Sequence, residues 1–254
     1  MSGKLPAGVL AKMALRANLL QATWNFERQQ GVGWAWALQP ALERLEADPR
    51  VRCARLAEHT AYFNTQPTLA SLALGAVAQL EEHRAEGRGP DAAAMARVKA
   101  VMGSTLAALG DRLFWFSLRP FAAALGVLVA LARPAGGAGA ITLWLLYAIP
   151  HLGLRFAGVG IGYARGPAVL GGRVREYLET AVTTLAYAGC IVLGVIVAYS
   201  LAPGGEPRPI AVESALAGGL GLGLLSAQRA RPSPTQWAIG MGALGVLAAW
   251  LRQG

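Results

Sequence analysis

The 254 residues hold 54% hydrophobic side chains against 15% charged ones, with 32 glycines and a mean hydropathy of +0.41. That balance argues against an ordinary water-soluble domain and for lipid as the solvent of much of the chain. The net charge of +9 comes from arginines dispersed between apolar runs, as in the loops of a membrane protein, rather than gathered with aromatics as on a nucleic-acid face.

Lys4, Lys12 and Arg16 interrupt the first twenty residues, which lack the apolar centre and cleavage site of a secretory signal and read as mature protein. The next ten, QATWNFERQQ, mix amides, charges and aromatics. In a helix Trp24 shares a face with Glu27 or Arg28, and Asn25 with Arg28. A sugar needs that mixture: planar donors and acceptors for hydroxyls, and a ring for its C–H face. The plainer reading is an ion pair of Glu27 and Arg28 on a solvated helix, with Trp24 as an anchor, and spacing leaves both open.

The first hundred residues are expected to form short amphipathic helices, with Asp48-Pro49 as a turn and Gly87 to Pro90 as a linker. Between them YFNTQP, Tyr62 to Pro67, precedes an apolar run. Asn64, Thr65 and Gln66 ahead of Pro67 read as a helix start with capping side chains and Pro at the first helical position. A helix N-terminus near lipid can also meet a polar ligand. Leu109 to Pro120, LGDRLFWFSLRP, sets Asp111, Arg112 and Arg119 at the start of an apolar segment. Ionisable groups there are costly and are paired or functional, so Asp111 either pairs with Arg112 or Arg119 to fix a turn or touches a ligand.

Pro120 to Ala132 is apolar but too short to span unless joined to what precedes it, and Pro134 to Leu154 is uncharged but broken by Pro150. Around the turn Arg133 to Gly139 they read as a helical pair or as discontinuous helices. Ala181 to Ala202 carries no charge and is long enough to cross roughly 30 Å of hydrocarbon. Thr235 to Leu251, ending at Trp250 and Arg252, is a further candidate span, and Ile210 to Ala227 a weaker one. Arg165, Arg173 and Arg175, and again Arg229 and Arg231, place two loops in the cytoplasm, leaving Pro203 to Pro209 and the C-terminus outside. The expected fold is all-α: a polytopic integral membrane protein of one domain, divided into an amphipathic region 1–105, a hydrophobic pair or hairpins 106–165, and C-terminal transmembrane helices 166–254.

Cys53 and Cys190 are far apart and read as structural, and no His lies at metal spacing, so no metal or cofactor is expected. His59, His83 and His151 show no acid partner in the sequence and are assigned no catalytic role.

Taken in order, QATWNFERQQGVGW, YFNTQP, ALGAVAQLEEHRAEG, GSTLAALGDRLFWFSLRP and LRFAGVGIGYARG, from about Leu15 to Arg165, resemble the IID membrane component of mannose, fructose and sorbose family sugar phosphotransferase systems. The resemblance implies a non-catalytic subunit of the bacterial inner membrane that pairs with a IIC subunit, in a higher oligomer of such pairs, to carry a hexose. Phosphate then comes from the IIA and IIB phosphocarriers, and the IID chain is not itself phosphorylated. It implies substrate contacts at Trp24, Asn25, Glu27 and Arg28, at Asn64 and Gln66, and at Asp111 and Arg119. Arg112 stands where the family usually has a small residue or Pro, and is expected to narrow the passage. A second reading is a diverged IID-like sensor or scaffold that no longer transports; a third, a basic nucleic-acid binder, leaves the apolar spans without a purpose.

Overall fold

The computed structural model describes residues 5–134 and 136–201. The chain divides into two compact units, 1–189 and 190–254. The first carries helices α1 (Ala7–Ala17), α2 (Gly31–Leu45), α3 (Pro49–His59), α4 (Ala70–Ala85), α5 (Ala92–Gly110), a π-helical stretch (Asp111–Leu118), α6 (Arg119–Ala132) and α7 (Ala138–Arg165). A short 3-10 turn, Gly166–Leu170, leads into α8 (Gly172–Leu201), which carries the described part of the second unit. Among the described residues, β structure is confined to two isolated bridges. The fold is all-α, as expected.

Local chemistry sets several of these boundaries. Asp48 caps α3 by accepting from the Arg50 N–H at 2.8 Å, with Pro49 at the first turn where its missing N–H costs nothing. Asp91 caps α5 in the same way, from Ala94 at 2.7 Å. Pro120 does not start a separate helix. The chain ahead of it widens into a π-helix that joins α5 to α6, and the Ser117 hydroxyl donates to the Arg112 carbonyl at 2.8 Å. The joined element, Ala92–Ala132, is thereby long and apolar enough to cross a membrane, as are Ala138–Leu170 and Gly172–Val197. Pro150 lies inside α7 without breaking it, which membrane helices tolerate where neighbours cover the backbone.

The N-terminal region departs from short amphipathic helices in one respect. Every residue of α4 from Ala70 to Ala78 is buried, so this helix is a core element covered all round. It packs chiefly against α7. Gly75 lies against the Val159 carbonyl and Gly162 against the Leu72 carbonyl so closely that a Cβ on either would stand 2.0 Å from that oxygen. Glycine is what lets the two backbones approach. Trp34, Leu38 and Leu42 of α2, with Met13 of α1, add fully buried side chains.

Two expectations are corrected. The segment around Trp24 to Arg28 is a chain of turns, not a helix, since Asn25 and Gln29 bond each other's backbone across a tight loop. Helix α4 begins at Ala70, so Pro67 is not its first residue. The candidate spans Ile210 to Ala227 and Thr235 to Leu251, the loop Pro203 to Pro209, and Arg229 and Arg231 lie outside the described residues, as does the last residue of Ala181 to Ala202.

Candidate functional site

The two polar blocks far apart in sequence interlock. The Gln30 N–H donates to the Phe63 carbonyl at 2.9 Å, and the Phe63 N–H to the Arg28 carbonyl at 3.3 Å. Gln30 itself, 1% exposed, turns its side chain onto Thr65: its amide nitrogen donates to the Thr65 carbonyl at 2.7 Å and its oxygen accepts from the Thr65 N–H at 3.1 Å. That bidentate pairing replaces the strand partner a loop would otherwise lack. Arg28 adds a longer bond to the Thr60 hydroxyl at 3.4 Å. Beneath the interlock the Phe63 ring lies 4.0 Å from the ring of Trp34, with the Lys99 ammonium 5.7 Å from Trp34 and donating to the His59 carbonyl at 3.3 Å.

The candidate residues divide into three settings. At the loop tip Trp24 and Phe26 meet edge to face, Phe26 is 89% exposed, and the Glu27 side chain is 84% exposed, 3.9 Å from Arg28. Asn25 turns inward, its oxygen accepting from the Arg28 N–H at 2.8 Å, so it shapes the loop. Around the start of α4, Gln66 is buried and its oxygen accepts from the N–H groups of Thr68 and Leu69 at 2.8 and 3.0 Å. Gly110 lies against the Gln66 side chain, where a Cβ would come within 2.6 Å, and Gly103 lies against the Asn64 carbonyl. These approaches bring the half-buried Asp111, next to Gly110, to the Asn64 and Gln66 segment. Arg119 stands apart, its guanidinium over the Trp115 ring at 5.2 Å.

Asp111 does not pair with either neighbouring arginine. Arg112 reaches Glu179 of α8 instead, at 3.1 Å, in an exposed pair. Two histidines have partners that sequence spacing hid. The Thr68 hydroxyl lies 2.8 Å from His151 Nδ1, and the His151 ring stacks on Tyr147 and meets Phe114 edge-on. His59 is fully buried, with Nε2 3.1 Å from Glu81. Glu81 also meets Arg55 at 3.1 Å and Arg84 at 3.4 Å. Burial holds His59 below its ordinary pKa against the pull of Glu81, keeping it neutral. Burial also opposes ionising Glu81, yet the hydrogen bond from His59 and the two arginines outweigh it and hold the carboxyl low. Cys53 and Cys190 are exposed free thiols, not core residues.

The pairing of Thr68 with His151 is the contact near these candidates that sequence reasoning missed. The signal available was an ionisable ring beside Pro150 inside an uncharged run, since such groups at membrane depth need a reason. Among the described residues, no group of His, Cys, Asp and Glu could hold a metal ion.

Residues 4–202 match the family described as the PTS system mannose/fructose/sorbose family IID component. The chain is 33% identical over 195 residues to the mannose-specific EIID component of the phosphotransferase system of Escherichia coli K12, covering 76% of this chain and 68% of that one. It is also 33% identical over 197 residues to the sorbose-specific EIID component of Klebsiella pneumoniae, covering 76% and 70%. Its fold is similar to that of a chain in the cryo-electron microscopy structure of the mannose transporter ManYZ with microcin E492, with a TM-score of 0.60, 27% identity, and coverage of 98% and 97%.

Proposed function

The chain belongs to the mannose/fructose/sorbose family of phosphotransferase-system IID components, and from that premise we propose how it works as a membrane subunit for sugar uptake. With a IIC subunit it forms the pathway for a mannose-type hexose, whose phosphorylation is supplied by IIA and IIB proteins. It contributes no catalytic group of its own and sits in the bacterial inner membrane, in a higher oligomer of IIC and IID pairs. The carrying observation is the family match over residues 4–202, together with identity spread over about two thirds of curated relatives that are sugar-specific IID components. The reading as a diverged sensor draws no support from these relatives.

Sugar contacts are proposed at two places. Trp24, Glu27 and Arg28 offer an exposed ring and charges at the loop tip, organised by Asn25. Asn64 and Asp111 offer polar groups where Gly103 and Gly110 bring α5 against the loop, organised by Gln66. Arg119, apart from both and held over Trp115, is proposed as a separate contact. The test is uptake. Cells carrying the IIC, IIA and IIB partners accumulate sugar phosphate when this chain is present and stop when it is deleted. Accumulation that persists without the chain refutes the proposal.

A further inference from the structure

Three hydrogen bonds at the start of α4 determine which nitrogen of His151 carries its proton. The Gln66 oxygen accepts from the backbone N–H groups of Thr68 and Leu69, so the atom that faces the Thr68 hydroxyl at 3.3 Å is the Gln66 amide nitrogen, a donor. The Thr68 oxygen therefore accepts from Gln66. Thr68 is fully buried, and its own proton has one acceptor within reach among the described residues, His151 Nδ1 at 2.8 Å. The alternative, a proton on Nδ1, leaves a buried hydroxyl hydrogen without an acceptor, which costs more than the bond it replaces. Nδ1 is thus the accepting nitrogen and Nε2 bears the hydrogen.

That Nε2–H has no hydrogen-bond partner among the described residues, and the ring is only half-buried. The ring cannot easily turn to find one. It is stacked on Tyr147 with centroids 5.4 Å apart at 19°, and Phe114 meets it edge-on at 5.9 Å. Both rings belong to the candidate membrane-spanning helices Ala138–Leu170 and Ala92–Ala132, where an unused donor is costly. A neutral donor of fixed direction suits an uncharged polyol, whose oxygens accept.

We propose that His151 Nε2 donates a hydrogen bond to an oxygen of the transported hexose, and that Thr68, held by Gln66, is a positioning residue that sets the tautomer. The inference rests on the transport reading above. Its test is uptake and binding of mannose, fructose and sorbose by the complex with the IIC partner in proteoliposomes supplied with the IIA and IIB phosphocarriers. His151→Phe keeps the stacked ring and removes the donor, but it also takes the acceptor from the buried Thr68 hydroxyl, so it is compared with the double variant His151→Phe/Thr68→Val, which lacks that hydroxyl; both should raise KM about three- to tenfold, the effect of one net hydrogen bond. Thr68→Val should raise KM in the same direction while Thr68→Ser restores it. With monodeoxy analogues of the sugar taken up best, wild-type should lose affinity for one position in particular, and His151→Phe should no longer distinguish that analogue from its parent. Wild-type KM in His151→Phe, or equal discrimination of all analogues by both proteins, overturns the donor role while leaving transport standing. A wild-type complex that takes up none of the three sugars refutes the transport reading and this role with it.

Discussion

Replacing Gln30 by Leu removes the side-chain grip between the two loops that carry proposed sugar contacts, leaving in place the backbone bonds from Gln30 to Phe63 and from Phe63 to Arg28. The side chains are of similar size, so no cavity opens, and the change is confined to two hydrogen bonds, at 2.7 and 3.1 Å, to the backbone of Thr65. Thr65 is 4% exposed, so both its N–H and its carbonyl lose their partner in a place water does not reach. Each orphaned group costs about 1–3 kcal/mol, and the apolar Leu returns about 1–2 kcal/mol of the total, leaving a net loss near 3 kcal/mol. The loss is local, and amide hydrogen exchange on the purified complex reads it directly: at tenfold per 1.4 kcal/mol, backbone amides of residues 60–66 should exchange about a hundredfold faster. Exchange in α7 serves as the reference. Loop amides that exchange within about twofold of wild type, a difference of about 0.4 kcal/mol, would show that the interlock does not hold the loops.

Four further outcomes are expected. Gly162→Ala drives a methyl to 2.0 Å from the Leu72 carbonyl and should cost about 1–3 kcal/mol, seen as a lower thermal midpoint. Gly160→Ala, with open space at its Cβ, should match wild type; equal midpoints for the two would refute the close approach. Because burial depresses the folded-state pKa of His59 below 6.5, the unfolded chain binds a proton there that the folded chain refuses, so stability should fall as pH drops below 6.5. Glu81, depressed below 4.5, adds its own loss only at lower pH, and a His59→Gln variant with the same midpoint slope between pH 7 and 5 as wild type would exclude the His59 contribution. Arg112→Ser breaks an exposed pair with Glu179 that is worth at most about 1 kcal/mol; insertion should be unchanged while uptake rises or accepts a wider range of sugars, and unchanged kinetics and selectivity would refute a narrowing of the passage by Arg112. Glu27→Gln and Asn64→Ala should impair uptake without affecting membrane insertion, and normal uptake in both would remove these residues from the pathway.

What the sequence disclosed and what it hid follow from how far each property reaches along the chain. Uncharged length is a property of consecutive residues, so Ala181 onward and the Pro134 to Leu154 run could be read directly, and residues 181–197 and 138–154 of them fall within helices long enough to cross a membrane. That Pro120 to Ala132 gains its length by a π-helical join was not legible, because the widened turn at Asp111–Leu118 leaves no pattern of residue types in the sequence. The acid partner of His59 lies 22 residues away, and the partner of His151 lies 83 away; neither pairing leaves a local pattern. Glu81 sits in the run LEEHR, which reads as a solvated helix end, yet it is fully buried among Arg55, Arg84 and His59. The one available clue was upstream, where ASLALGAVA shows no polar face for water to occupy.

The apolarity of α4 explains why the site is where it is. A helix with no polar side from Ala70 to Ala78 must be covered on every face, and the glycines of α7 allow it to be covered at backbone contact rather than side-chain distance. Such contact fixes the register of the two helices tightly, because sliding by one residue would set a Cβ against a carbonyl. With the register fixed, the first polar group before α4, Thr68, meets the polar ring of α7, His151. The same constraint holds the chain leading into α4 still enough for Gln30 to grip Thr65 and for Gly103 and Gly110 to pass against Asn64 and Gln66. Thr68 and His151 are therefore held in register by the wholly buried Ala70–Ala78 stretch of α4, and a change that loosens α4 from α7 should disturb sugar affinity even though it touches neither of them.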